Sequence, residues 1–61
     1  MNFLEFLVEI RVSKSKELLV DTDKSIAEIA ISVGYMDLKH FSKLFKKYAG
    51  LTPSEYRKIY Q

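Results

Sequence analysis

The chain has 61 residues, no cysteine and a formal net charge of +2 at pH 7. This length permits one domain or part of one. Without cysteine there is neither a disulfide framework nor a thiolate metal site, which suits a reducing cytoplasm. The charge is uneven, because residues 1–35 carry four basic against six acidic side chains and residues 36–61 carry six against two. Net charges of −2 and +4 favour contact between the second half and a polyanion.

The N-terminal segment, residues 3–12, is apolar around much of a helix. More than one apolar stripe predicts burial on two sides, whereas a chain this short has one small core and buries only ~60% of its unfolded surface. We therefore expect part of this apolar surface to be covered by another unit of the intact protein or by a second copy of the chain. The alternative is that all the apolar residues pack inside one compact unit. The segment is too short and too charged to span a membrane, and it lacks a signal peptide's basic start. Seven of its ten residues are apolar, namely Phe3, Leu4, Phe6, Leu7, Val8, Ile10 and Val12.

Two short helices joined by a glycine turn are predicted after a polar connection at residues 21–24. Ser25 and Glu28 fit a capping box, and apolar residues then recur at helical spacing until Gly34, which can adopt the left-handed conformation that ends a helix. Asp37 is a good N-cap for a second helix that continues to Gly50. This arrangement is typical of a helix-turn-helix DNA reader. The apolar residues are Ile26, Ile29, Ala30 and Val33 in the first helix and Phe41, Leu44, Phe45 and Tyr48 in the second.

The second helix, residues 37–48, separates into two faces at about 100° per residue. Its apolar residues lie on one side, and three lysines and a serine lie on the other. The N-terminal end of such a helix normally reaches deepest into a major groove, so we expect base contacts there. The alternative is that these lysines form an ordinary solvated surface. The candidate DNA-binding residues are Met36, Asp37, Leu38, Lys39, His40, Ser42, Lys43, Lys46 and Lys47.

A closing helix is predicted over residues 53–60. Thr52 begins a second capping box, followed by a proline at the first helical position. Tyr56 and Ile59 are expected to face inward, while Arg57 and Lys58 are expected to remain outside.

The sequence offers little support for enzyme chemistry. His40 is the only histidine, so no second histidine or cysteine stands at metal-ligand spacing from it, and no glycine-rich loop is present to hold a phosphate. We expect no enzyme activity, no cofactor and no metal site. Ser25 and Thr52 begin helices whose free N–H groups attract anions, so both are candidate phosphate contacts. About four or five helices without an alternating apolar–polar run predict an all-α fold, a small helical bundle.

These residues resemble the C-terminal part of the DNA-binding domain of AraC/XylS-type bacterial transcription regulators. The resemblance implies a homeodomain-like arrangement of a linker helix over residues 2–20, a helix-turn-helix over residues 25–49 and the closing helix. It implies a cytoplasmic transcription factor that binds double-stranded DNA in a sequence-specific manner, with the recognition helix in the major groove and no membrane contact. The matching elements are Arg11, Leu18-Leu19, Ser25-Ile26-Ala27-Glu28-Ile29-Ala30, Val33-Gly34-Tyr35, Asp37, Phe41-Ser42, Phe45-Lys46-Lys47 and Gly50-Leu51-Thr52-Pro53-Ser54-Glu55-Tyr56-Arg57.

The resemblance also implies partners. Family members carry two helix-turn-helix units, and the first unit is expected to be absent here. That first unit is one expected partner. The others are an upstream sensory or receiver domain, RNA polymerase and a second copy of the chain. The lysine-rich ending is similar to that of the response-regulator subtype. A rival interpretation is a helical interaction or dimerisation module that does not bind DNA on its own.

Four positions depart from the family or vary within it. The family usually places alanine where Ser15 stands, and a serine hydroxyl there can bond the carbonyl one turn back in the helix. Leu38, Lys39 and Lys43 occupy positions that vary between members, so the operator cannot be transferred from a relative.

Overall fold

The computed structural model describes residues 2–61 and, over that range, contains four helices and no strand. The helices are α1 (Phe3–Asp21), α2 (Ile26–Ser32), α3 (Leu38–Ala49) and α4 (Pro53–Tyr60). The all-α fold class is confirmed. None of these helices is long and apolar enough to cross a membrane.

Short local signals determine where the helices begin. Asn2 Oδ1 accepts a hydrogen bond from the backbone N–H of Glu5 at 2.8 Å and starts α1. Both predicted capping boxes are formed, at the start of α2 and at the start of α4. The end of α3 is fixed by Gly50, which has a left-handed φ of 83°. Because each signal depends only on neighbours within one turn, the helices begin and end close to where the sequence predicts.

The core lies where α1 contacts each of the other three helices. An aromatic row extends from the turn after α2, through α3, to α4. Its ring centroids are 5.8 Å apart for Tyr35 and Phe41, 5.9 Å for Phe41 and Phe45, and 5.6 Å for Phe45 and Tyr56. The buried apolar residues are Val12, Leu19, Ile29, Ala30, Tyr35, Phe41 and Phe45.

Ser15 is the buried polar residue of α1, with no exposed surface. Its hydroxyl donates to the backbone carbonyl of Arg11 at 2.7 Å. The predicted bond to the preceding turn is therefore present, and it satisfies the hydroxyl without a partner from another helix.

The C-terminal end of α1 is held by the last helix. Arg57 Nε donates to the carbonyl of Leu19 at 3.1 Å, and a second guanidinium nitrogen donates to the carbonyl of Thr22 at 3.1 Å. Gln61 Nε2 also donates to the Thr22 carbonyl, at 2.8 Å. The expectation that Arg57 remains outside is wrong, because its guanidinium reaches carbonyls that the end of a helix leaves without partners.

The inward side of α4 also differs from the prediction at Ile59. Tyr56 is half-buried, as expected, but the side chain of Ile59 is 62% exposed. Arg57, rather than Ile59, contacts the end of α1. Tyr60 remains largely exposed and lies against Tyr56, with ring centroids 4.5 Å apart.

The first half of α1 keeps an uncovered apolar side. Phe3, Leu4, Phe6 and Ile10 are 75%, 69%, 53% and 49% exposed, and of the seven apolar residues in this segment only Val12 is fully buried. The alternative that all seven pack inside one unit is therefore wrong. The same outer side of α1 continues through the exposed residues Ser13 and Lys14 to Glu17.

Candidate nucleic-acid interface

The turn between α2 and α3 is fixed by backbone hydrogen bonds. The N–H of Tyr35 donates to the carbonyl of Ala30 at 2.8 Å, and the N–H of Gly34 donates to that of Ile31 at 3.0 Å. Gly34 has a φ of 102°, in the left-handed region that favours glycine. These bonds end α2 and set the direction in which α3 leaves the turn.

The turn also rests on the first helix through Arg11. The guanidinium carbon of Arg11 lies 5.2 Å from the ring centroid of Tyr35, within cation–π distance. A Cβ added at Gly34 would lie 3.2 Å from that same carbon. The absence of a side chain at Gly34 therefore lets Arg11 lie against the turn, and Arg11 connects the orientation of α3 to α1.

The two predicted faces of α3 are present. Phe41 and Phe45 are buried, and Leu44 and Tyr48 are half-buried beside them. The exposed residues Lys39, Lys43, Lys46 and Lys47 form what we call the lysine face. Ser42 is half-buried at the margin of this face.

The lysines of α3 carry their charge without a carboxylate partner. In the part of the chain that the structure describes, the one salt bridge joins Lys14 to Glu17 on α1. The amine of Lys47 lies 5.7 Å from the ring centroid of Tyr48, which leaves its charge intact. Four exposed amines on one short helix, none of them in a salt bridge over the described residues, create a local positive potential that a polyanion would meet.

The N-terminal end of α3 presents apolar and polar side chains together. Met36 is 90% exposed and Leu38 is 44% exposed. Asp37 Oδ1 accepts from the backbone N–H groups of Lys39 at 2.9 Å and His40 at 3.4 Å, so this carboxylate serves as the N-cap. The His40 ring is edge-on to Tyr35, with centroids 5.7 Å apart.

The two candidate phosphate contacts lie at occupied helix starts. The N–H of Ser25 donates to Glu28 Oε1 at 3.3 Å, and the N–H of Thr52 donates to Glu55 Oε1 at 2.9 Å. The hydrogen bonds from the backbone and the hydroxyl of Thr52 lower the pKa of Glu55, and the charge of Lys46 lowers it further. Ser25 therefore keeps only its hydroxyl hydrogen for a phosphate, next to a carboxylate, and the hydroxyl of Thr52 must turn from Glu55 to reach one.

Comparison with known proteins identifies the family of this arrangement. The model of a helix-turn-helix domain family matches residues 1–59. The chain is 43% identical over 61 residues to the Msm operon regulatory protein of Streptococcus mutans, covering 100% of this chain. The chain belongs to the AraC-type helix-turn-helix family. Its sequence resemblance to AraC/XylS-type regulators is confirmed.

Two solved AraC-type structures agree with the fold. The C-terminal domain of AraT, a response regulator from Geobacillus stearothermophilus, has a TM-score of 0.95 at 42% identity and covers 97% of this chain and 49% of that chain. The C-terminal domain of the two-component response regulator yesN from Fusobacterium nucleatum has a TM-score of 0.91 at 40% identity, covering 93% and 55%. The chain spans 22% of the Msm operon regulatory protein, so the similarity concerns one part of a longer regulator.

The contact of Arg11 with the turn is not among the predictions made from the sequence of this AraC-type unit. Arg11 appears there only among the residues that carry the family resemblance, and it is given no structural role. A signal was available, because Arg11 shares a helical face with Ser15 and Leu18, at spacings of four and seven, and that face turns towards the core. Over residues 2–61, no three histidine, aspartate or glutamate side chains come close enough to hold a metal ion.

Proposed function

We propose that this unit binds double-stranded DNA in a sequence-specific manner, with α3 in the major groove, as part of a bacterial transcription regulator. The observation that carries the proposal is the exposed, unpaired lysine face of α3, which follows a turn fixed by hydrogen bonds and by Arg11. A helix of this kind fits the major groove, where its N-terminal residues meet base edges. We also propose that the regulator is cytoplasmic, and that this unit catalyses no reaction and binds no cofactor or metal ion.

The residues of α3 divide into two roles by their position along the helix. Lys39 and Lys43 lie one turn apart near the N-terminal end and contact base edges or flanking phosphates. Lys46 and Lys47, in the last turn, contact the phosphate backbone, together with Ser42. The hydroxyls of Ser25 and Thr52 donate further bonds to phosphate.

Single substitutions separate these roles. Lys46→Gln and Lys47→Gln should each weaken binding to all duplex sequences and reduce the salt slope by about one. Lys39→Gln and Lys43→Gln should change which sequences are preferred. The measurement is fluorescence anisotropy against a panel of duplexes at several salt concentrations.

A matched control for these variants is Lys14→Gln, because Lys14 is an exposed lysine on the outer side of α1, away from α3. It should leave both affinity and preference unchanged. If all four α3 variants shift affinity and preference alike, the division of roles is wrong.

A second proposal concerns protein contact at the uncovered apolar side of α1. We propose that in the intact regulator this side is covered by another polypeptide, either the first helix-turn-helix unit or a second copy. The exposure of Phe3, Leu4 and Phe6 favours this role, since clustered exposed apolar side chains mark interaction surfaces. An upstream sensory or receiver domain and RNA polymerase are further proposed partners, and two of the compared structures come from response regulators.

The second proposal predicts a measurable exposed apolar surface in the isolated chain. Sedimentation at increasing concentration should show self-association, or a monomer should bind an apolar fluorescent dye. Phe6→Ser should reduce whichever is seen, while Ile59→Ser, at an equally exposed position on α4, should not. A monomer that binds no dye at high concentration would contradict the proposal.

A further inference from the structure

Two apolar side chains stand at the end of α3 that enters the groove, Met36 and Leu38. Met36 is 90% exposed and Leu38 is 44% exposed, and neither belongs to the hydrophobic core or to the half-buried residues packed against it. One exposed apolar residue is ordinary on a protein surface. Here two flank the N-cap of the recognition helix, where side chains meet base edges first.

The polar groups around these two residues are partly engaged. Asp37 Oδ1 is bound by two backbone N–H groups. The His40 ring lies edge-on to Tyr35 but remains exposed, and Ser42 is half-buried one turn further along. Met36 and Leu38 are the exposed apolar side chains at this end, and the amines of Lys39 and Lys43 are exposed beside them.

The major groove presents one apolar group, the C5-methyl of thymine. Lysine amines pair with the O6 and N7 acceptors of guanine. We propose that Met36 and Leu38 read a thymine methyl, next to guanine contacts made by Lys39 and Lys43, so that the preferred half-site holds thymine beside guanine. This inference rests on the proposed DNA-binding function, because it assigns the bases met by the same helix.

The test removes only the methyl group. A site is first selected from a pool of random duplexes with the 61-residue chain, and each thymine of that site is then replaced singly by deoxyuridine. Loss of one buried methyl should lower affinity about fourfold, which corresponds to about 0.8 kcal/mol. At least one position should show this loss, while the other thymines should tolerate the replacement.

Variants assign the effect to the two side chains. In Leu38→Ala or Met36→Ala, the ratio of the affinities for the thymine and uracil duplexes at that position should fall towards one, because the partner of the methyl is gone. Ile59→Ala truncates an equally exposed apolar residue on α4 and should keep the full difference. All three positions are exposed, so the variants should keep the helical circular dichroism of the parent.

Different results overturn the inference and the proposed function. If no duplex binds with a salt-dependent affinity, the proposed function itself fails. If the pool binds with a steep salt slope but yields no preferred site, the sequence specificity of the proposed function fails together with the readout. If a site is selected but no deoxyuridine replacement in it weakens binding, only the thymine readout is overturned. The readout is also overturned if both alanine variants keep the full thymine-to-uracil difference.

Discussion

At the scale of single residues, the two glycines both end helices at positive φ but in different surroundings. Gly34 and Gly50 have φ values of 102° and 83°. A Cβ at Gly34 would lie close to the guanidinium of Arg11, whereas a Cβ at Gly50 would meet nothing within 4 Å. The pair therefore compares a positive-φ glycine packed against α1 with one that has open space around it.

Alanine at each glycine tests this difference. Gly50→Ala should lower the free energy of unfolding by about 1 kcal/mol, because a side chain is strained in the left-handed region. Gly34→Ala has a φ farther from the left-handed minimum and brings a Cβ to 3.2 Å from the guanidinium of Arg11, so its loss should be larger. Urea unfolding followed by circular dichroism measures both variants. An equal loss would show that the Arg11 contact with the turn has no energetic weight.

At the scale of the helices, Arg57 contributes two of the hydrogen bonds that attach α4 to the C-terminal end of α1. Arg57 bonds the carbonyls of Leu19 and Thr22, which are 38 and 35 positions away in sequence. Without it, these carbonyls lose a charged donor at the end of α1. Arg57 therefore has a structural role, distinct from the phosphate contacts proposed for the lysines of α3.

Removing the guanidinium should loosen this attachment. Arg57→Met should lower the free energy of unfolding by about 1–3 kcal/mol, because the part-buried carbonyl of Leu19 loses its side-chain donor. Lys58→Met, at the neighbouring exposed position, is the control and should change stability little. Equal urea midpoints for the two variants would contradict the structural role of Arg57.

The sequence separation between contacting groups explains what could be predicted from the sequence. Helix starts at Ser25 and Thr52 and the stop at Gly50 are determined by groups within one turn, and such patterns can be recognised along the chain. The faces of α3 follow from its periodicity alone. The position of Arg57 could not be predicted in this way, since it depends on where α4 lies against α1 after folding.

At the scale of the whole molecule, the proposed DNA surface and the proposed protein surface lie on different helices. The lysine face belongs to α3, whereas the uncovered apolar residues belong to the first half of α1. The charge follows this division, since residues 36–61 are net positive and residues 1–35 are net negative. DNA binding and contact with another unit can therefore occur together, and salt should weaken the first far more than the second.

The central claim is that the lysine face of α3 binds duplex DNA, and a salt titration tests it most directly. Fluorescence anisotropy of the chain with random-sequence duplex should give a logarithm of affinity that falls linearly with the logarithm of salt concentration. If three or four phosphates are neutralised, the slope should be about −3. The combined variant Lys39→Gln, Lys43→Gln, Lys46→Gln and Lys47→Gln should lose most of that slope and most of the affinity. Binding that hardly responds to salt, or that survives the combined variant unchanged, would contradict the claim.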